Sequence, residues 1–165
     1  YANSTANDNS ASTTNNKTGI FDLSGCVWEY TAGYISNGKD SLNTYGKSYA
    51  NTSINANGYL TLSTKYAIVY PYNSSSDSTT NNYISYSEKK STTYGFGDAV
   101  LETSTSGANS TGWNGDYSGF PDAAGPFFVY GGRWDSTSVA GIYAFSRSNG
   151  PAWYDDGFRS VLVTQ

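Results

Sequence analysis

A chain of 165 residues with 16 Tyr, 18 Gly, no His, no Met and 13% charged residues has room for one domain, whose core must be built largely from aromatic side chains. A net charge of -4, with Glu88-Lys89-Lys90 the nearest approach to a basic cluster, argues against a broad nucleic-acid or anionic-membrane contact. The single cysteine, Cys26, excludes an internal disulfide and a Cys-based zinc site, and the missing His removes the usual general base, the Ser-His-Asp triad and the commonest metal ligand.

Residues 1–18 are almost entirely Asn, Ser, Thr and Ala after Tyr1 and cannot bury enough apolar surface to fold alone, so they read as an arm or linker. The chain opens on Tyr1 rather than Met, as a trimmed or processed chain does, and shows neither a charged-then-apolar leader nor an apolar run long enough to span a bilayer. Order is expected from Gly19-Ile20-Phe21, with a Ser24-Gly25 turn leading into a strand at Val27-Trp28-Glu29-Tyr30. Leu42, Tyr45 and Tyr49 recur at spacings of three and four and predict a short amphipathic helix. Tyr66 to Pro71 is an apolar run stopped by proline, and Asn73 to Asn82 reads as an exposed low-complexity loop. A second helix is predicted over Tyr83 to Tyr94, and a further ordered piece over Asp98 to Glu102.

From Ser104 to Pro126 the chain is Gly, Ser, Asn and Asp with Trp113, Tyr117 and Phe120 as isolated anchors, a stretch long enough to be functional or wrapped on the core. The last third predicts three strands, at Phe127 to Trp134 with a glycine break, at Ala140 to Phe145 and at Gly157 to Val163. Helix early and strand late suggest an α+β domain. Tyr, Ser and Gly together also suit a recognition surface, because Tyr supplies contact area at low entropic cost.

The run Gly19-Ile20-Phe21-Asp22-Leu23-Ser24-Gly25-Cys26-Val27-Trp28-Glu29-Tyr30 resembles the opening signature of the formylglycine-generating-enzyme branch of C-type-lectin-like folds. Gly131-Gly132-Arg133-Trp134 and Gly157-Phe158-Arg159 are similar to that branch's closing elements, so the resemblance brackets 19–163. Within the branch the chain most resembles the variable proteins of diversity-generating retroelements. The resemblance implies a C-type-lectin-like domain over 19–165, with two short helices, a small antiparallel sheet and much irregular loop, and a variable region at about 131–159. It implies a binding protein of a virion, extracellular or cell surface, with a protein or glycan receptor on a target cell as partner and oligomers compatible. A structural pseudopilin-like subunit is the alternative. The branch's enzymes use cysteines near the chain end, and none follows Cys26 here, so no enzyme is expected.

On this resemblance the ligand-facing residues are Arg133, Asp135, Thr137, Val139, Tyr143, Ser146, Ser148, Trp153, Tyr154, Asp155 and Asp156. Trp153 and Tyr154 are the expected energetic anchors, since aromatic residues dominate binding hot spots, and Asp155 and Asp156 are expected to tune partner charge. Trp28, Trp134 and Cys26 are expected in the core, and Glu29 and Arg159 as a brace between first and last strands. No cofactor is expected. Calcium is the ion that the Asp- and Asn-rich loops would suit, with no site defined, and Asn114-Gly115 reads as a turn.

Overall fold

The sequence Trp-Glu-Tyr-Thr-Ala-Gly-Tyr-Ile-Ser, rich in aromatic and β-branched residues, forms the longest strand of the computed structural model, β1 (Trp28–Ser36). The structure describes residues 27–36, 40–46, 53–54, 60–61, 68–73, 75–93 and 99–158. After β1 come α1 (Asp40–Tyr45), a small β2 (Ser53–Ile54) and β3 (Leu60–Thr61) pair, β4 (Ile68–Pro71), α2 (Thr79–Thr93), α3 (Ala99–Thr103), β5 (Phe127–Tyr130), β6 (Phe145–Ser148) and β7 (Asp156–Gly157). Single 3₁₀ turns lie at Trp113–Gly115 and Thr137–Val139. The domain is thus mixed α and β.

The main sheet runs β4-β1-β5-β6, with β7 also on β1. Glu29 pairs with Tyr130 on one side and Gly157 on the other, so β7 shares with β4 the side of β1 away from β5. The expected antiparallel sheet is instead mixed: β1 is parallel to β4 and β7, while β5 is antiparallel to β1 and β6. A short strand returning beside the start of β1 after a long excursion is free to approach in either sense, whereas only tight hairpins force antiparallel pairing.

Strand β5 is buried on both faces, so its four residues read as a continuous apolar run. Phe127 packs with Tyr34 and with Leu42 of α1 on one face. Phe128 faces the other way, into a cluster of Tyr70, Tyr83, Tyr86, Val100, Phe120 and Phe145. Phe120 lies at the centre of that cluster, with ring centroids 5.2 to 5.8 Å from Phe128, Tyr70, Tyr86 and Tyr83. Mostly edge-on geometry lets each ring present positive edge to negative face, and the chain thereby builds a core without Met and with little aliphatic bulk.

Helix α2 begins four residues before the expected Tyr83, inside the stretch read as exposed loop. Ser78 caps it, its hydroxyl accepting the Asn81 N–H at 3.3 Å. Asn82 is fully buried. Its Oδ1 accepts the Asn73 N–H at 2.6 Å, and its Nδ2 donates to Asp77 at 2.8 Å and to the Pro121 carbonyl at 3.1 Å. Polar residues that look solvated in sequence are here a helix cap and a fully bonded amide clamp between α2 and the Pro121 loop.

The irregular 104–126 stretch is tied down in the same way. The Thr111 hydroxyl lies 2.8 to 3.1 Å from the Ala108 carbonyl and the hydroxyls of Ser104, Ser106 and Ser118. Ser104 and Ser118 are themselves buried. Of the expected anchors, Phe120 is core and Tyr117 is half-buried against Trp28, while Trp113 is exposed.

The expected strand at Ala140 to Phe145 is displaced: Ala140 to Ala144 forms a turn closed by Ala144 N–H to Gly141 carbonyl at 3.0 Å, and the strand begins at Phe145. Gly141 explains the shift. A Cβ there would stand 2.0 Å from an Asp116 carboxylate oxygen, and that carboxylate accepts the Tyr143 N–H at 3.0 Å. The residues thus make a tight turn around a buried acid. The outer parts of the expected helix at Tyr49 and of the last strand, together with Cys26 and Arg159, lie outside the described residues.

Replacing Asn82 by Ala leaves the Asn73 N–H and the Pro121 carbonyl without partners, and should cost about 2–3 kcal/mol in urea unfolding. Ser78→Ala should cost only about 1 kcal/mol. Equal, small losses for both would show that the 73–82 stretch is solvated.

Candidate functional site

The site grows from the end of β5. After Tyr130 the backbone turns through Gly131 and Gly132, at φ of 92° and 78°, a region that side chains disfavour. A Cβ on Gly132 would also meet Ala140 at 2.8 Å. This turn delivers Arg133, whose N–H donates to the Ser136 hydroxyl at 3.1 Å. Its guanidinium forms ion pairs with Asp135, at 2.6 Å through Nε, and with Asp155 through Nη1.

Asp155 is only 4% exposed. Its carboxylate lies under Arg133 and its carbonyl accepts the Trp28 N–H at 2.7 Å, which fixes the 153–156 turn to the start of β1. The turn is closed by Asp156 N–H to the Trp153 carbonyl at 3.2 Å. Trp153 and Tyr154 are left outside at 62% and 73% exposure, with ring centroids 5.6 Å apart.

Between this turn and the β5-β6 pair lies an open cleft of about 380 Å³. Trp28, Val129, Arg133, Ser146, Ser148, Asn149, Trp153 and Asp156 line it. Ser146 and Ser148 stand opposite Val129 and Phe127 in the antiparallel ladder, and the Ser148 hydroxyl is bonded to the Tyr30 hydroxyl. Burial first, and then the neighbouring Asp155 charge, raises the Asp156 carboxyl above its ordinary 3.8, with hydrogen bonds from the Trp153 backbone and Tyr30 opposing.

A second patch adjoins through the Asp116 turn. Trp113, 53% exposed, packs edge-on against Tyr143 with centroids 5.3 Å apart. The Tyr117 N–H donates to the Val139 carbonyl at 2.8 Å, which holds the Thr137–Val139 turn against the 112–117 loop. Asn114 and Gly115 adopt positive φ within the Trp113 turn, in keeping with the turn expected from their sequence.

The eleven expected ligand-facing residues therefore divide. Arg133, Ser146, Ser148, Trp153, Asp155 and Asp156 meet at the cleft. Thr137, Val139 and Tyr143 belong to the neighbouring turns, with Thr137 exposed and Val139 and Tyr143 half-buried. Asp135 and Tyr154 are exposed beside the cleft without lining it. Asp155 needs correction: it reaches the cleft wall as a buried, ion-paired carboxylate and not as a displayed charge. Trp134 also needs correction, being 62% exposed rather than core, because the Gly131-Gly132 turn ends β5 before it.

Sequence reasoning missed Ile142 and Phe158, which are 61% and 80% exposed, and the lining residue Asn149. The apolar neighbours of Ile142 predict a strand, and the contact between Gly141 and Asp116 that turns it outward spans 25 positions of sequence with no local sign. Among the described residues no group of three or more His, Cys, Asp or Glu side chains is placed to hold a metal, and no helix is long and apolar enough to cross a membrane. Comparison with protein families, with characterised proteins and with solved structures gave no match to the chain.

Arg133→Ala should destabilise the domain by about 2 kcal/mol, because it strands the buried Asp155 charge while Arg133 itself keeps solvent contact. Unfolding of the purified variant in urea measures this, and a change inside about 0.5 kcal/mol would reduce the pair to surface decoration.

Asp156→Asn addresses pH. A raised folded-state carboxyl value means that the folded chain binds this proton more tightly than the unfolded chain, so the stability it contributes is full below 3.8 and lost as pH rises through the raised value. The variant should therefore melt higher than the parent at neutral pH, with the gap closing below pH 3.8. Melting curves across that range that never converge would refute the linkage.

Proposed function

We propose that this chain is a ligand-binding display protein with a C-type-lectin-like fold, its 131–159 region diversified by a retroelement on a virion, extracellular or cell surface. The observation that carries the reading is the division of labour along residues 116–158. Asp116, Gly132, Gly141, Ala144, Phe145 and Asp155 are engaged in close contacts or buried. Interleaved with them, Trp134, Ile142, Trp153, Tyr154 and Phe158 stand more than 60% exposed.

Exposed large apolar side chains are normally scattered singly, so the paired exposed rings of Trp153 and Tyr154, with three more such residues in the same 25-residue stretch, favour a recognition surface. Further support is the adjacency of the resembling segments, since Glu29 pairs with both Tyr130 and Gly157. The partner on this reading is a protein or glycan receptor, bound by shape and aromatic contact. Catalysis by an adjacent carboxylate pair is disfavoured because Asp155 is committed to Arg133 and does not stand free beside Asp156. The pseudopilin-like alternative gains no specific observation.

Two experiments test the proposal. Gene sequencing should find a near-copy of the codons for residues 131–159 beside a reverse-transcriptase gene, and population sequences should vary at Trp153 and Tyr154 but not at Gly141 or Asp155; uniform variation across scaffold and surface alike would contradict it. The double substitution Trp153→Ala, Tyr154→Ala should keep the melting temperature, within about 0.5 kcal/mol of stability, while removing capture of target cells by the displayed protein. A large loss of folding would return both residues to the core.

A further inference from the structure

The geometry points to a cationic side chain, the guanidinium or ammonium of an Arg or Lys projecting from a protein partner, as the group that the cleft between Trp28, Trp153 and Asp156 receives. The inference rests on the binding role proposed above and names the chemistry of the same site.

Charge is the first argument. Arg133 is shared between Asp135 and Asp155. Asp156 adds a third carboxylate at the cleft wall and enters no ion pair among the described residues. With Arg147 and the ion-pair partners Asp135 and Asp122 included, four acids stand against two bases, which leaves a local excess of negative charge. Arg147, which also borders the cleft, is neutralised separately by Asp122 at 3.1 Å and donates to the Thr79 hydroxyl at 2.6 Å. The cleft therefore lacks a free cation of its own among the described residues and carries an acid that burial and Asp155 both penalise.

The walls are the second argument. Two indoles, half-buried Trp28 and exposed Trp153, line the cleft together with Asp156, and Trp28 is the register partner of Asp156 across the β1-β7 pair. Indole beside carboxylate suits a cation that is weakly hydrated and flat or flexible, because the ring attracts the charge while the acid accepts its hydrogen bonds. A metal ion fits poorly, since indole supplies no ligand atom and no metal-ligating cluster lies among the described residues. The volume, about 380 Å³, falls in the range of about 300–1,000 Å³ of ligand sites and admits one long side chain from an open surface.

Rigidity is the third. The Asp155 carbonyl bond to Trp28 and its carboxylate bond to Arg133 hold the turn that carries Trp153 and Asp156 before any partner arrives.

The test titrates the whole chain with the peptide acetyl-Gly-Arg-Gly-amide and its neutral citrulline counterpart, following indole and amide chemical shifts. Saturable shifts at Trp28, Trp153 and Asp156, with the citrulline peptide at least about tenfold weaker, are expected. Asp156→Asn and Trp153→Ala should each weaken the arginine peptide about tenfold at unchanged melting behaviour or, for Asp156→Asn, a higher melting point; Ile84→Ala on α2 should leave it as it is. Equal binding of both peptides, shifts elsewhere on the surface, no saturable response, or binding of methyl mannoside at these residues in place of the arginine peptide would each overturn the inference. A gene without a template copy would remove the diversified reading and leave this titration untouched, so the two failures are separable.

Discussion

Asp155 joins three parts of the chain. Its carbonyl accepts the N–H of Trp28 at the start of β1, and its carboxylate meets Arg133 just past the end of β5. Its own turn carries Trp153 and Asp156. A carboxylate at 4% exposure is tolerable only because a guanidinium and ordered backbone surround it. The bonds to Trp28 and Arg133 tie the 153–156 turn, which forms one wall of the cleft, to β1 and to the end of β5. Without them the turn that carries the exposed indole would lose its two tethers to the rest of the fold.

The elements that sequence revealed are those carried by local pattern. Phe127 to Tyr130 forms a strand because an apolar run of that length between glycines has few other uses, and Tyr83 and Tyr86 lie on the buried face of a helix as their spacing requires. Leu42 likewise marks α1. The misplaced loop and strand boundaries share one cause, polar residues with structural roles. Asn82, Ser104, Ser118 and Asp116 are buried, and each is satisfied by partners distant enough in sequence that composition alone makes them look like loop.

The site was legible in the same partial way. Aromatic character marked Trp153 and Tyr154, and their exposure follows from lying in a short turn whose interior is taken by Asp155. Trp134 has the same chemistry, and its place in the motif predicts a core residue, whereas it is exposed. Whether a tryptophan faces in or out is decided by where the strand ends, and the Gly131-Gly132 turn that ends β5 shows in sequence only as two glycines. The adjacency of Asp155 and Asp156 suggested two equivalent charges. Both reach the cleft wall, but Asp155 is buried and paired with Arg133 while Asp156 is half-buried and enters no ion pair among the described residues.

This unequal division constrains how the surface can change. Residues 131–158 are not uniformly free to change, since Gly132 is pressed on Ala140, Gly141 on Asp116, and Asp155 on Arg133. A substitution at any of these must displace backbone or strand a charge, and each such cost is a large fraction of the stability of a small domain. Positions such as Trp153, Tyr154 and Ile142, which have one side to solvent, carry no such cost. A region that is to vary without unfolding must therefore alternate the two kinds at close spacing, and the hydroxyl network around Thr111 together with the Asp116 turn supplies a scaffold outside that region on which the alternation can rest.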